Sequence, residues 1–155
     1  TFADELLGTG DQPSLGLTPN RHAAFKSLRG YVNSPKAAKK MRPGSPIIFY
    51  ESMKGNGRGV AVAVAKITSS VVVAKTQMDA SKDSRLVVDA LDGFSSTKDV
   101  LLTTFDNLML FPSPVRYETL KRLKVTGGAN LVSAVSLSDE EVSSILSLGW
   151  ANGGT

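Results

Sequence analysis

The sharpest pattern of apolar and polar positions lies between Pro46 and Ile67. PIIFYE (46–51) predicts a strand. Gly55-Asn56-Gly57 supplies residues that tolerate positive φ and predicts a turn. RGVAVAVAKI (58–67) then predicts a second strand, with Val60, Val62 and Val64 on one face and Ala61, Ala63 and Ala65 on the other. Both faces are apolar and one is narrow, so this strand is expected to be central, packed on two sides or lining a small barrel. Ser69-Ser70 is expected to break it, and Val71–Thr76 to follow as a third strand. Asp99–Phe105 and Leu108–Phe111 predict two more, joined tightly at Asp106-Asn107, with Pro112 and Pro114 closing the second. After the Gly127-Gly128 turn, Asn130–Val135 predicts a last strand.

Helical spacing is shorter-lived. Ser34 reads as an N-cap with Pro35 at the first helical position, predicting one or two turns over Lys36–Met41. Leu86, Val87, Ala90 and Leu91 predict a short helix over 84–92, and Tyr117, Leu120 and Leu123 another. The final helix is the best specified. Ser138 and Glu141 form a capping box, Leu137 and Val142 stand at the staple positions, and Val142, Ile145 and Leu146 form its buried stripe. Gly149 is expected to end it. His22–Val32 fits a strand or an irregular segment equally. Residues 1–19 read as a loosely structured segment, 20–150 as one domain and 151–155 as a tail. About six short strands with inserted helices, without βαβ alternation, predict an α+β fold with a mostly antiparallel, strongly curled sheet.

Composition narrows the class. The 155 residues are 41% apolar and 21% charged, ordinary for one buried core. No run reaches the roughly 18 apolar residues of a membrane helix, and the first residues do not form a signal peptide. The chain starts at Thr1, which suggests an excised or processed piece. With no Cys, disulfides and thiolate chemistry are excluded, and a reducing, cytoplasmic setting fits. The net charge of +4 is unevenly spread: residues 21–58 hold nine bases against one acid, Glu51. Such a field attracts a polyanion, although a solvated lysine-rich surface would look the same.

Catalytic signatures are sparse. His22 is the only histidine, no G-x-S-x-G accompanies it, and one His without Cys does not make a zinc site. Asp79, Asp83, Asp89, Asp92 and Asp99 read as capping or solvated groups. SMKGNGRG lacks the P-loop spacing and precedes a strand rather than a helix, so no phosphate-binding helix terminus follows it. Its backbone, with Lys54 and Arg58, remains a candidate for touching nucleic-acid phosphates. Phe49 and Tyr50 are adjacent in a strand and face opposite sides. Either Tyr50 lines a pocket where a base stacks, or it covers the edge. Asp106 and Asn107 are candidate hydrogen-bonding handles, and turn chemistry also explains them.

The order PGxPIIFYES, GxGRGVAVAVAKITS and TTFDNLMLFPSPV, across about residues 42–149, resembles the PUA-like superfamily. The likeness is to its ASCH- and EVE-type branches, and most of all to members appended to predicted acetyltransferases or toxin-like proteins. The resemblance implies a small, partly open β-barrel of five to seven strands flanked by short helices. It also implies binding of RNA, or of DNA carrying a modified base, in a basic and aromatic groove. Carried over by position, Tyr50, Ser52, Arg58, Asp106 and Asn107 would lie near the barrel mouth. The aromatic cage of modified-base readers usually includes Trp, and the only Trp here, Trp150, follows the last helix.

The expected function is therefore non-catalytic nucleic-acid binding without a cofactor or metal. The phosphate contacts are assigned to Arg21, Lys26, Arg29, Lys39, Lys40, Arg42, Lys54 and Arg58, and the pocket to Tyr50, Ser52, Asp106 and Asn107. Two alternatives stay open: a regulatory or protein-interaction module fused to a catalytic domain, and a toxin-like ribonuclease using Lys, Tyr or Asp in place of His and Cys.

Overall fold

A computed structural model describes residues 28–53, 57–78, 98–125, 131 and 134–151. Strand β1 spans Arg29–Asn33, β2 Pro46–Glu51, β3 Val60–Ala74 and β4 Asp99–Arg116; helix α1 spans Tyr117–Arg122 and α2 Asp139–Gly149. The four strands form one open sheet in the order β1-β4-β3-β2. β1 runs antiparallel to β4, with Arg29 opposite Phe105 and Asn33 opposite Leu101. The β3–β4 contacts also run in opposite directions, from Thr68–Thr104 to Ser70–Thr103. The α+β class and the open, antiparallel character match the expectation from the sequence. Among the described residues no helix is long and apolar enough to cross a membrane.

β3 is the central strand that its pattern predicts. It lies between β4 and β2, and every residue from Val60 to Ala65 is buried. Among the described residues there are four strands: two expected breaks do not occur, so four expected strands merge into two, and β1 forms in the segment whose pattern fitted a strand or an irregular stretch equally. Ser69-Ser70 does not end β3, since its hydroxyls find partners across the sheet. Thr104 Oγ1 lies 2.8 Å from Thr68 Oγ1 and 2.7 Å from Ser69 Oγ, and Ser70 Oγ lies 3.4 Å from Thr103 Oγ1. Asp106-Asn107 is likewise not a chain reversal. β4 runs through it, with Asn107 alone at φ 51°, a left-handed backbone that Asn tolerates. Pro112 and Pro114 lie within β4 rather than closing it, beyond Phe105, the last residue that β1 pairs.

Two compact units share these strands. One comprises residues 1–47 and 65–108, the other 48–64 and 109–155. In the first, Val32 and Val100 form a small buried cluster with Val73, Met78 and Leu102 against it. In the second, Ala61 and Val64 of β3, Phe111 and Val115 of β4, Leu120 of α1 and Ile145 of α2 make the core.

The helices show why each forms. Ser34 caps a single 3-10 turn, Pro35–Ala37, shorter than the helix expected there. α1 ends in a Schellman arrangement with Lys124 at φ 61°: Val125 N–H donates to Leu120 O and Lys124 N–H to Lys121 O. α2 has its capping box, and Leu137 and Leu146 pack on the core. α2 ends at Gly149, as the sequence predicts. The helix includes it, and its role is space, because a Cβ there would stand 2.6 Å from the Phe111 ring. The strand expected over 130–135 is not formed at Leu131, Ala134 or Val135. The segments 1–19 and 84–92, the 55–57 turn apart from Gly57, and His22 lie outside the described residues.

Candidate nucleic-acid interface

Within the first unit the basic residues gather around one turn. After Pro35–Ala37 the chain bends, leaving Lys36, Lys39, Lys40 and Arg42 exposed while Met41 turns inward. The turn is bound to β3 by both backbone groups of Ile67: Gly44 N–H donates to Ile67 O at 2.8 Å, and Ile67 N–H to Ser45 O at 3.0 Å. Two residues thus face one, as in a bulge, and Gly44 at φ 87° permits it. Lys66, exposed and next to that anchor, joins this group. Among the described residues, neither the Lys39 nor the Arg42 side chain is paired with a carboxylate.

The sheet brings further candidates into the same row. The Thr68–Thr104 and Ser69–Thr104 contacts set Ile67 and Lys66 beside Phe105–Asn107, and Phe105 faces Arg29 across the β1–β4 ladder. From Arg29 to the anchored turn is three inter-strand steps, about 14 Å. Burial lowers the Arg29 pKa from its usual value. Asp106 Oδ1 is buried without a hydrogen-bond partner among the described residues, and Asn107 is exposed. Both stand mid-strand in β4 rather than at the expected hairpin turn.

The second unit holds Tyr50, Ser52 and Arg58. Phe49 is buried, so Tyr50 takes the other side of β2, half-buried on the core cluster. Its ring lies 6.4 Å from that of Tyr117, tilted by 51°. Burial, and then Tyr117, raise the Tyr50 pKa. Ser52 is half-buried. Arg58 is bonded to Glu51, the one acid among the nine bases of residues 21–58. Trp150 packs edge-to-face on Phe111 at 5.0 Å. Arg21, Lys26 and Lys54 lie outside the described residues. Lys66 was missed because it sits inside an apolar strand; as the one charge in VAVAVAKI, it was the available signal.

The fold is similar to that of ASCH from Zymomonas mobilis, with a TM-score of 0.60 at 14% identity over 79% of this chain and 82% of that one. A tyrosine-to-phenylalanine variant of that protein gives 0.61 at 13% identity, covering 79% and 84%. A serine-to-alanine variant gives 0.61 at 12%, covering 84% and 88%. The likeness is one of fold: the chain shares the architecture of these ASCH structures, in line with the fold that the sequence resemblance implied. No protein-family model and no curated protein sequence matches the chain.

Proposed function

We propose that this ASCH-type fold binds nucleic acid, RNA or DNA, chiefly through phosphates. The observation that carries the reading is the anchored basic turn: Lys36, Lys39, Lys40 and Arg42 exposed together, fastened to β3 beside Lys66. Clustered, solvated cations recognise a phosphate chain without reading its sequence. Arg29 extends the row; in the second unit, taken by itself, Arg58 and Tyr50 offer a phosphate contact and a stacking ring.

Each phosphate contact releases condensed counterions, so log affinity falls linearly with log salt. Replacing Lys39, Lys40 and Arg42 together with Ala is expected to make that slope shallower by about two to three units, measured by fluorescence anisotropy on a labelled oligonucleotide. The fold should survive, because the three residues are exposed and outside the core. No binding to any DNA or RNA at low salt, or a slope unchanged in the triple variant, would refute the proposal.

One observation favours a second reading, a ribonuclease without His or Cys. Tyr50 and Tyr117 bring two phenol rings within 6.4 Å of each other; burial keeps the Tyr50 hydroxyl protonated beyond its usual range, which suits a hydrogen-bond donor to a phosphate rather than a base. Cleavage of a labelled RNA by the wild type but not by Tyr50→Phe would support it, and RNA left intact by the wild type would remove it.

A further inference from the structure

Glu51 closes β2 with its side chain only 10% exposed, and Arg58 occupies both of its oxygens. The Arg58 backbone N–H donates to Oε1 at 3.1 Å, and Arg58 Nε donates to Oε2 at 2.8 Å. The residues on either side are glycines, the first with no room for a side chain and the second in a left-handed backbone that favours glycine. A Cβ at Gly57 would run into the Ser52 carbonyl; one at Gly59, which sits at φ 68°, would stand 2.6 Å from Met53 Cγ. The Gly59 carbonyl accepts a bond from Tyr117 N–H at 2.9 Å. The backbone around Arg58 is thus held from both sides, yet the Arg58 side chain is 56% exposed.

A partly exposed ion pair adds little to stability, so stability alone does not account for this clamp. What the clamp does fix is direction. The carboxylate engages the guanidinium through Nε, and the two terminal amino groups have no partner among the described residues. They form a planar fork, the geometry that takes two oxygens of one phosphate. We propose that Glu51 is a positioning residue, aiming the Arg58 guanidinium so that its terminal nitrogens receive one phosphate of the bound nucleic acid. This rests on the nucleic-acid reading above and gives Arg58 a defined receptor geometry.

Positioning and bare electrostatics predict opposite signs. The Glu51 charge repels a nearby phosphate, so by field alone Glu51→Gln should tighten binding. Gln keeps an acceptor for the Arg58 backbone N–H but loses the charged bond to Nε, so by positioning it should weaken binding. With a fluorescein-labelled ten-nucleotide RNA as probe, Arg58→Ala and Arg58→Lys are expected to weaken binding about five- to tenfold, and Glu51→Gln about three- to fivefold. The Glu51→Gln/Arg58→Ala double variant should be no weaker than Arg58→Ala alone. In the wild type, adenosine 5′-monophosphate should shift the Arg58 Nε–H resonance. Binding as tight or tighter in Glu51→Gln, full affinity in Arg58→Lys, or additive losses would overturn the inference. If Glu51→Gln fails to fold, Arg58→Lys, which leaves Glu51 in place, decides. Binding lost in the Lys39/Lys40/Arg42 variant but untouched by Arg58→Ala and Glu51→Gln would overturn this inference alone. A mononucleotide-induced shift at Arg58 in a protein that binds no RNA or DNA would overturn the function and leave the receptor.

Discussion

Gly149→Ala sets helix propensity against packing, and the structure decides the sign. Ala is favoured over Gly within a helix by about 0.5–1 kcal/mol, so propensity alone makes the replacement stabilising. The new methyl group, however, would stand 2.6 Å from Phe111 Cδ1, 2.7 Å from Cγ and 3.0 Å from Cε1. That ring cannot easily retreat. Phe111 is 4% exposed, belongs to the core with Val115, Leu120 and Ile145, and carries the edge-to-face contact with Trp150. Overpacking a closed core costs about 1–3 kcal/mol, which against that gain leaves a net loss of up to about 2.5 kcal/mol. Urea unfolding followed by Trp150 fluorescence reads both consequences, a lower midpoint and altered native emission. In a Phe111→Leu background the penalty should largely disappear, since the ring that makes the clash is gone. A Gly149→Ala protein as stable as the wild type, with unchanged emission, would refute the packing argument.

Two further outcomes follow from local geometry. Ser138→Ala removes the acceptor of the Glu141 N–H bond at 3.2 Å and should cost about 1 kcal/mol, seen as a thermal midpoint lower by a few degrees. Burial raises the Tyr31 and Tyr50 pKa values, so the folded protein holds these protons more tightly than the unfolded chain. Stability should be level below the usual tyrosine value of about 10 and fall as pH rises through the folded values. Urea midpoints between pH 8 and pH 11 should show this decline, and Tyr31→Phe should reduce it; an undiminished decline would exclude Tyr31 as a source.

What could be read in advance was whatever a few consecutive residues settle among themselves. PIIFYE is bounded as expected, and the capping box of Ser138 and Glu141 forms as written. Errors arose where a local signal had to be weighed against a distant partner. Asp106-Asn107 correctly marks a departure from regular backbone, at φ 51°, but only the pairing of β4 with its neighbours determines that the chain continues. Ser69-Ser70 reads as a break because hydroxyls compete with the backbone in isolation, whereas here Thr103 and Thr104, more than thirty residues away, accept that competition. Gly149 ends α2 where the sequence placed the end, but the reason that no side chain fits there, the Phe111 ring, comes from a distant strand.

The candidate site was legible as charge and not as geometry. Counting nine bases between residues 21 and 58 identifies the field, but counting treats every cation alike. The structure separates them by what holds them. Lys39 and Arg42 are exposed on a turn whose anchor, Ile67, belongs to β3, so under the proposed function their contribution would depend on salt and tolerate any cation in place. Arg58 is tied at Nε by Glu51, and in such a setting lysine is no substitute. Glu51, entered in the count as one acid subtracted from nine bases, is the residue that makes this difference. A lone carboxylate ending a strand, a short glycine loop away from an arginine, is a cross-hairpin pair rather than a deficit of charge. That spacing, seven residues from Glu51 to Arg58 with Gly57 and Gly59 flanking the arginine, was present in the sequence. It becomes interpretable only once β2 and β3 are known to be neighbours, because the pair closes across the hairpin and not along the chain.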